Sequence, residues 1–265
     1  MKHYYPLQYW STMVSFASDK EIPNYLAEIF RSNSIKVYPV DIDKSGADVI
    51  IDIESNAMYW ALNGVKGCGD AAFNQIVGLR DRDGAYGSLD NFLARNKFKG
   101  SKVNKGVIES LIASGGFDNC ELVNNASERL DLLNRYRKFA KVNIKDPSKD
   151  KYTDEHNNEN WWWLLKQKQL CGIAHIDFQD ISDIKYNCIP ITTPEDLAVL
   201  DEEHPVTMMG LITEFKVRQY SRGRKLYSII LDNNSQPVII TVWDDKVSEY
   251  QHLFTDPVGK IMMVT

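Results

Sequence analysis

The chain has 265 residues, 43% hydrophobic and 25% charged, with a net charge of −5. That balance suits a globular protein of two or three small domains, and no apolar run approaches the roughly 18–20 residues of a membrane span. The first residues, Met1-Lys2-His3-Tyr4-Tyr5-Pro6, are aromatic and polar, unlike a signal peptide. Cys68, Cys120, Cys171 and Cys188 show no close pair and no metal-ligand spacing, so they read as reduced intracellular thiols. The acidic total argues against a nucleic-acid partner, but the distribution matters more than the sum. Basic residues cluster at Arg95, Lys97, Lys99, Lys102 and Lys105, at Arg135, Arg137, Lys138 and Lys141, and at Lys216, Arg218, Arg222, Arg224 and Lys225. Acids gather elsewhere, as in Glu195-Asp196 and Asp201-Glu202-Glu203. Such segregation is compatible with local phosphate contacts on an acidic body, although a basic run is more often a solvated surface.

In chain order, residues 3–18 predict a helix whose Tyr5, Tyr9, Met13 and Phe16 form a core-facing stripe. A second helix restarts at Ser18-Asp19-Lys20 and runs through Tyr25, Leu26, Ile29 and Phe30, with Pro23 tolerated in its first turn. Brief strands follow at Ile35 to Pro39, Val49 to Ile53 and Met58 to Trp60, with a polar loop from Asp41 to Ala47. Asp41, Asp43, Asp48 and Asp52 suggest a metal site only weakly, because the same stretch reads as an ordinary strand-flanking loop.

Tyr59 to Val77 is the stretch on which the rest is organised. It reads as a short helix, a tight turn on Gly67 and Gly69, and a second helix from about Asp70. Exposed amides at the turn, with a helix N-terminus behind them, make a seat for a phosphate, and Lys66 adds a positive charge beside it. The plainer alternative is a helical hairpin whose glycines only permit close packing. A loop at Gly84 to Gly87 leads to a short helix capped by Ser88. The basic Arg95–Lys105 stretch then leads into a helix buried through positions 103, 107, 108, 111 and 112 and ended by Gly115-Gly116. This second helical unit after a basic turn suggests a paired arrangement.

Residues 127–141 predict a helix (Leu130, Leu133, Tyr136, Phe139) with a basic opposite face, and residues 143–160 a linker or mobile loop. Trp161, Trp162 and Trp163 resume a helix. Three adjacent indoles do not fit one helix face, so at least one is expected near the surface or against a neighbour, with packing favoured over base stacking. From Pro205 the period becomes that of strands: Val206 to Arg218, Lys225 to Asp232 and Val238 to Trp243. A turn at Asp232 to Ser235, a short helix at Val247 to Phe254 and a strand from Lys260 complete the series. This is the order of an OB-type barrel with its fifth strand missing.

The order of parts resembles the C-terminal half of the alpha subunit of DNA polymerase III, a bacterial C-family replicative polymerase. The matching residues are Tyr4-Tyr5-Pro6-Leu7, Tyr38-Pro39-Val40-Asp41-Ile42 and Ala61-Leu62-Asn63-Gly64-Val65-Lys66-Gly67-Cys68-Gly69. They continue with Val103 to Asp118, Leu170-Cys171-Gly172-Ile173 and the barrel segment from Val206. The resemblance implies a mixed α+β fold, mainly helical over its N-terminal two-thirds with a tandem helix-hairpin-helix, followed by an incomplete antiparallel OB-type β-barrel. Its expected domains are distal fingers (1–57), the helix-hairpin-helix region (58–142), a linker and helical connector (143–204) and a partial OB domain (205–265).

What this implies for function is a non-catalytic, DNA-binding part of a replicative polymerase. Lys66, Gly67, Cys68 and Gly69 would hold one phosphate of a duplex primer-template through main-chain amides, and Lys102, Asn104 and Lys105 another. Arg218, Arg222, Arg224 and Lys225 would meet a single-stranded template. Tyr220, Tyr227 and Trp243 are candidates for base stacking, Trp243 being expected in the core and Tyr220 exposed. Further partners implied are a palm-bearing polymerase chain and a sliding clamp, in a bacterial or phage-infected cytoplasm. The catalytic aspartates, and the Mg2+ they would bind, belong to a palm domain that this sequence lacks, so no cofactor and no polymerase activity are expected of the chain alone. The family's histidine-proline ending is replaced after Gly172 by Ile173-Ala174-His175-Ile176-Asp177. A start within the fingers and an end within the barrel imply a fragment, a split-gene product or a divergent, phage-type relative. The competing reading is a scaffold or decoy that docks replication proteins and binds little DNA.

Overall fold

The computed structural model describes residues 1–18, 21–32, 35–142, 150–152, 156–173, 208–220, 224–232, 237–243 and 254–264. The chain divides into two compact units, residues 1–17 with 32–175 and residues 18–31 with 176–265. No helix among the described residues is long and apolar enough to cross a membrane.

The first unit starts with α1 (Pro6–Phe16), where Pro6 supplies the fixed φ suited to a first helical turn. Its buried residues are Leu7, Trp10, Ser11 and Val14, whereas Tyr5 and Phe16 are 58% and 87% exposed. The buried stripe is therefore not the expected Tyr5–Tyr9–Met13–Phe16 face. Two overlapping stripes fit helical spacing here, and packing against the strands that follow selects the one carrying Trp10. Those strands are β1 (Lys36–Tyr38), β2 (Ile50–Asp52) and β3 (Ala57–Tyr59), in the order β1-β3-β2 with β1 parallel and β2 antiparallel to β3. The central strand is buried throughout.

The acidic loop between β1 and β2 is a structural hub. Asp41 accepts from the Asp43 amide and from Asn119, and Asp43 accepts from the amides of Tyr86 and Gly87. Arg80 donates to the Ile42 and Ser45 carbonyls. These carboxylates gather distant segments by hydrogen bonding, as a strand-flanking loop does.

The helical body comprises α3 (Asp70–Asp83), α4 (Leu89–Asn96), α5 (Lys105–Ala113), α6 (Asp118–Glu121), α7 (Ala126–Phe139) and α8 (Asn160–Cys171). Ser88, Asn104 and Asn125 cap α4, α5 and α7 by accepting from the amides of Asn91, Val107 and Glu128. Helix α5 is buried from Val107 to Ala113 and packs against α7 and α8. Burying its apolar side chains contributes about 1.5–3 kcal/mol each for those fully removed from water, which makes α5 the centre of the unit. At its end, Gly115 adopts φ +89°, where an added Cβ would lie 2.8 Å from both Asp118 and Gln167.

From α7 to α8 two expectations are corrected, and a third, packing of the indoles, is met without any of them lying at the surface. Arg137 does not belong to a solvated basic face: it is buried, with Nε on Glu109 at 2.8 Å and a two-pronged pair to Asp150 at 2.8 Å. Two buried carboxylates hold it there. The segment expected as a linker is packed where it is described, since Asp150 makes this pair and Tyr152 is only 1% exposed. All three indoles of Trp161, Trp162 and Trp163 are buried, Trp163 donating to the Asn157 carbonyl at 2.7 Å and stacking on Tyr152. Trp162 and Trp163 pack edge to face, with ring centroids 4.8 Å apart, so the indoles pack within the protein, the use favoured for them over base stacking.

In the second unit, α2 (Ile22–Ser32) buries Leu26 and Ile29, and Glu21 accepts from the amide and hydroxyl of Ser18 before it. Strands β4 (Met208–Gln219), β5 (Lys225–Asp232), β6 (Val238–Trp243) and β7 (Ile261–Val264) form an antiparallel sheet in the order β6-β5-β4-β7. A register shift between Ile212 and Glu214 lies within this curled half-barrel, as in an incomplete OB-type fold. Its concave side is filled by Ile212, Ile229 and Leu231, with Phe215, Ile240 and Val242 packed on them. Nearly all of the helix expected at Val247 to Phe254, residues 176–204 and most of the Asp232–Ser235 turn lie outside the described residues.

Candidate nucleic-acid interface

The first turn is held rigidly on its inner side. The short helix expected before it is a single 3-10 turn, Leu62–Gly64. The Lys66 amide donates to the Leu170 carbonyl at 2.8 Å and the Cys68 amide to Val65 at 2.9 Å. Cys68 is 2% exposed, and burial pushes its thiol up to about 11, so it is an inert core group. Gly67 sits at φ +99°, with Ser110 Oγ of α5 3.2 Å from the position a Cβ would take. Both the dihedral and the close approach call for glycine here.

The outer side of the same turn is open. Gly69 precedes α3 in an extended conformation with no side-chain cap. The amides of Gly67, Gly69, Asp70 and Ala71 have no partner among the described residues, and all four residues are exposed. Two of the four expected residues, Lys66 and Cys68, have thus committed their amides inward, and Asp70 and Ala71 extend the open set. A charge-assisted bond to such an amide is worth about 1.5–3 kcal/mol, against about 0.3–1 kcal/mol for the helix dipole at an exposed end. The amides therefore dominate any anion affinity, and the Asp70 carboxylate opposes it.

The second turn, between α4 and α5, has Gly100 at φ +92°. Its Lys102 amide donates to Gln75 Oε1 at 2.8 Å, while Gln75 Nε2 reaches Asn96 Oδ1 at 2.8 Å and Ser101 Oγ at 2.9 Å. Asn104 spends its side-chain oxygen on the Val107 amide at 3.1 Å. The amides of Lys105 and Gly106 remain open among the described residues, beside the exposed side chains of Lys97, Lys99, Lys102 and Lys105. Arg95 leaves this cluster, because its guanidinium folds back on Asn91, Gly84 and Ala85.

Gln75 escaped the reading of the sequence, and it sets the distance between the two turns. Helix α3 starts at the first turn and touches the second at Gln75, five residues further on. At about 1.5 Å of rise per residue the two turns lie on the order of 10 Å apart.

On the sheet, Arg218, Leu226 and Trp243 stand side by side across β4, β5 and β6. Tyr220, one pleat beyond Arg218, donates its amide to the Arg224 carbonyl and lies 6.4 Å from the Trp243 ring. Tyr220 and Trp243 are 49% and 54% exposed. Trp243 is therefore not the core residue expected of it, because Ile240 and Val242 point inward and the strand's period of two turns 243 outward. Tyr227 lies on the concave side instead, between Phe215 and Phe254. Arg224 and Lys225 are exposed at the start of β5, and Arg222 lies outside the described residues.

Residues 34–127 match the model of a helix-hairpin-helix motif. Nearly the whole chain aligns with subunits alpha of DNA polymerase III. The Chlamydia muridarum protein is 25% identical over 97% of this chain and 22% of its own length. The Aquifex aeolicus protein is 26% identical over 84% of this chain and 18% of its own. The Deinococcus radiodurans protein reaches 34% identity over a shorter stretch, 44% of this chain and 9% of its own. The chain thus spans about a fifth of the length of the first two relatives. Along nearly all of its length, this chain is similar to part of the DNA polymerase III alpha subunit, with a helix-hairpin-helix motif in its helical unit.

Proposed function

We propose that the chain holds duplex DNA by its sugar–phosphate backbone, serving a replicative polymerase whose catalytic carboxylates lie on another segment or chain. The observation that carries this reading is the pair of open turns latched by Gln75. Gly67, Gly69, Asp70 and Ala71 offer amides at one turn, and Lys105 and Gly106 at the other. Lys66 and Lys102 supply mobile charge to each. The relatives' alpha subunits are polymerase chains by name, which supports replication as the setting. A palm-bearing chain and a sliding clamp are the partners this reading adds.

Fluorescence anisotropy with a labelled primer-template tests it. Affinity should fall linearly with salt on a log–log plot, as counterions released from phosphates require. Lys66→Glu combined with Lys102→Glu should weaken binding severalfold and flatten the salt slope. Unchanged affinity in that double variant would overturn the hairpin reading.

The exposed Tyr220–Trp243 pair beside Arg218 and Arg224 supports a second contact, for single-stranded template; Lys225, at the same edge but on the other face of β5, belongs to the proposal as a backbone charge. Aromatic faces stack on bases without sequence preference while arginines follow the backbone. Arg222, between them in sequence, belongs to the same proposal.

A further inference from the structure

A cavity of about 440 Å³ opens between α4, α5 and α7, within the roughly 300–1,000 Å³ of small-molecule sites. Its floor is apolar, formed by Leu93, Val103 and Ile108, with the rings of Tyr136 and Phe139 on one side. Lys97, Lys105 and Lys141 also line it, and no acidic side chain does among the described residues. Phe139 is 53% exposed although it continues the stripe of Tyr136, and Lys97 Nζ lies 5.1 Å from its ring centroid. Lys105 is only loosely engaged: Glu109 Oε1 is 3.9 Å away and takes Arg137 at 2.8 Å. The lining thus joins a flat apolar surface to positive charge with no internal counter-ion among the lining residues. An aromatic body carrying an anionic group satisfies both.

We propose that this cavity takes one nucleotide unit, its base against Phe139 and its phosphate among Lys97, Lys105 and Lys141. The proposal takes the class of occupant from the nucleic-acid reading above and shares Lys97 and Lys105 with the second turn, but it needs neither turn's open amides. Of the two neutral polar side chains in the lining, Asn96 is already committed to Gln75 and to the Phe92 carbonyl, and the Tyr136 hydroxyl both donates and accepts, so it does not select one base edge. Base identity should therefore matter little. The unit is either the unpaired end of a strand or a free nucleotide, which present the same chemistry.

Calorimetric titration of the full chain with dAMP, deoxyadenosine and inorganic phosphate tests the site. dAMP should bind at least about tenfold more tightly than either half alone. Phe139→Ala and Lys141→Glu should each weaken dAMP about tenfold, with an unchanged circular dichroism spectrum. Lys66→Glu with Lys102→Glu should leave dAMP binding intact while weakening duplex binding, which separates failure of this site from failure of the hairpin. Competition of dAMP by a duplex with a short overhang, but not by a blunt one, assigns the site to strand ends; no competition by either assigns it to free nucleotides. Equal affinity for phosphate and dAMP, indifference to Phe139→Ala, or tighter binding of an acidic peptide bearing one phenylalanine would overturn the proposal.

Discussion

Gln75 of α3 and Lys102 of the second turn are joined directly, the Gln75 side chain accepting the Lys102 amide at 2.8 Å. The same side chain donates to Asn96 and Ser101, so one residue fixes two points of the turn and the end of α4. Because α3 begins at the first turn, the two open sets of amides are held in register by a single short helix. In the proposed duplex contact the two turns then act as one surface.

Replacing Gln75 by leucine keeps the volume and removes all three bonds. Asn96 is buried, so its side-chain oxygen loses a partner without gaining water. The expected cost is about 1–3 kcal/mol in urea denaturation. Duplex affinity should fall as well, since the second turn is no longer held relative to the first. Unaltered stability and affinity together would remove the latch from the account.

The two glycines of the first turn should respond oppositely to alanine. Gly67 has φ +99° and faces Ser110, so Gly67→Ala should destabilise by about 1–3 kcal/mol. Gly69 has φ −73° with open space around its missing Cβ. Gly69→Ala should leave stability unchanged or raise it by about 0.4–1 kcal/mol through the unfolded chain. Thermal melting of both variants checks the contrast.

Local signals were legible in the sequence. The cap at Ser88 acts within three residues, and the apolar stripe of α5 repeats at the helical period, so both could be read directly; the cap at Asn104 was not read. The first turn followed from Lys66, Gly67 and Gly69 and the second from the basic Arg95–Lys105 stretch, while their tandem arrangement as helix-hairpin-helix came with the resemblance. Hidden were the features that depend on partners far along the chain. Arg137 looks like surface charge until Glu109, 28 residues away, and Asp150 enclose it. Gln75 has no local mark, because its partners lie 21 to 27 residues on. On α1 two stripes fitted equally, and only the strands packed against it decide between them.

Alkali should destabilise the helical unit through Cys68 and Cys171, with Cys120, which burial also pushes up to about 12, adding to the effect. Burial raises Cys68 from 9.0 to about 11 and Cys171 from 9.0 to about 12. Below pH 9 both thiols are protonated in either state and their contribution is intact. Above it, the unfolded chain loses these protons first, so stability falls by up to about 1.4 kcal/mol per pH unit per thiol until the folded values are reached. Urea midpoints measured between pH 8 and 11 should drop accordingly. Cys68→Ala with Cys171→Ala should start lower, because cavities are left, but decline less steeply. An equally steep decline in that variant would assign the effect to other groups.

Trp243 and Tyr227 separate binding from folding in the sheet. Trp243 is 54% exposed beside Tyr220, so Trp243→Ala should shift stability by no more than about 0.5 kcal/mol. If the pair stacks on bases, the same change should weaken single-strand binding by about 1–3 kcal/mol. Tyr227 packs between Phe215 and Phe254 on the concave side, so Tyr227→Ala should lower stability clearly more than Trp243→Ala does. At a temperature where it remains folded, it should bind single strands as the unaltered chain does. Anisotropy with an oligothymidylate, together with denaturation of each variant, measures both quantities. The reverse pattern, with binding following Tyr227 and stability following Trp243, would mean that the concave side and not the Arg218–Trp243 side meets the strand.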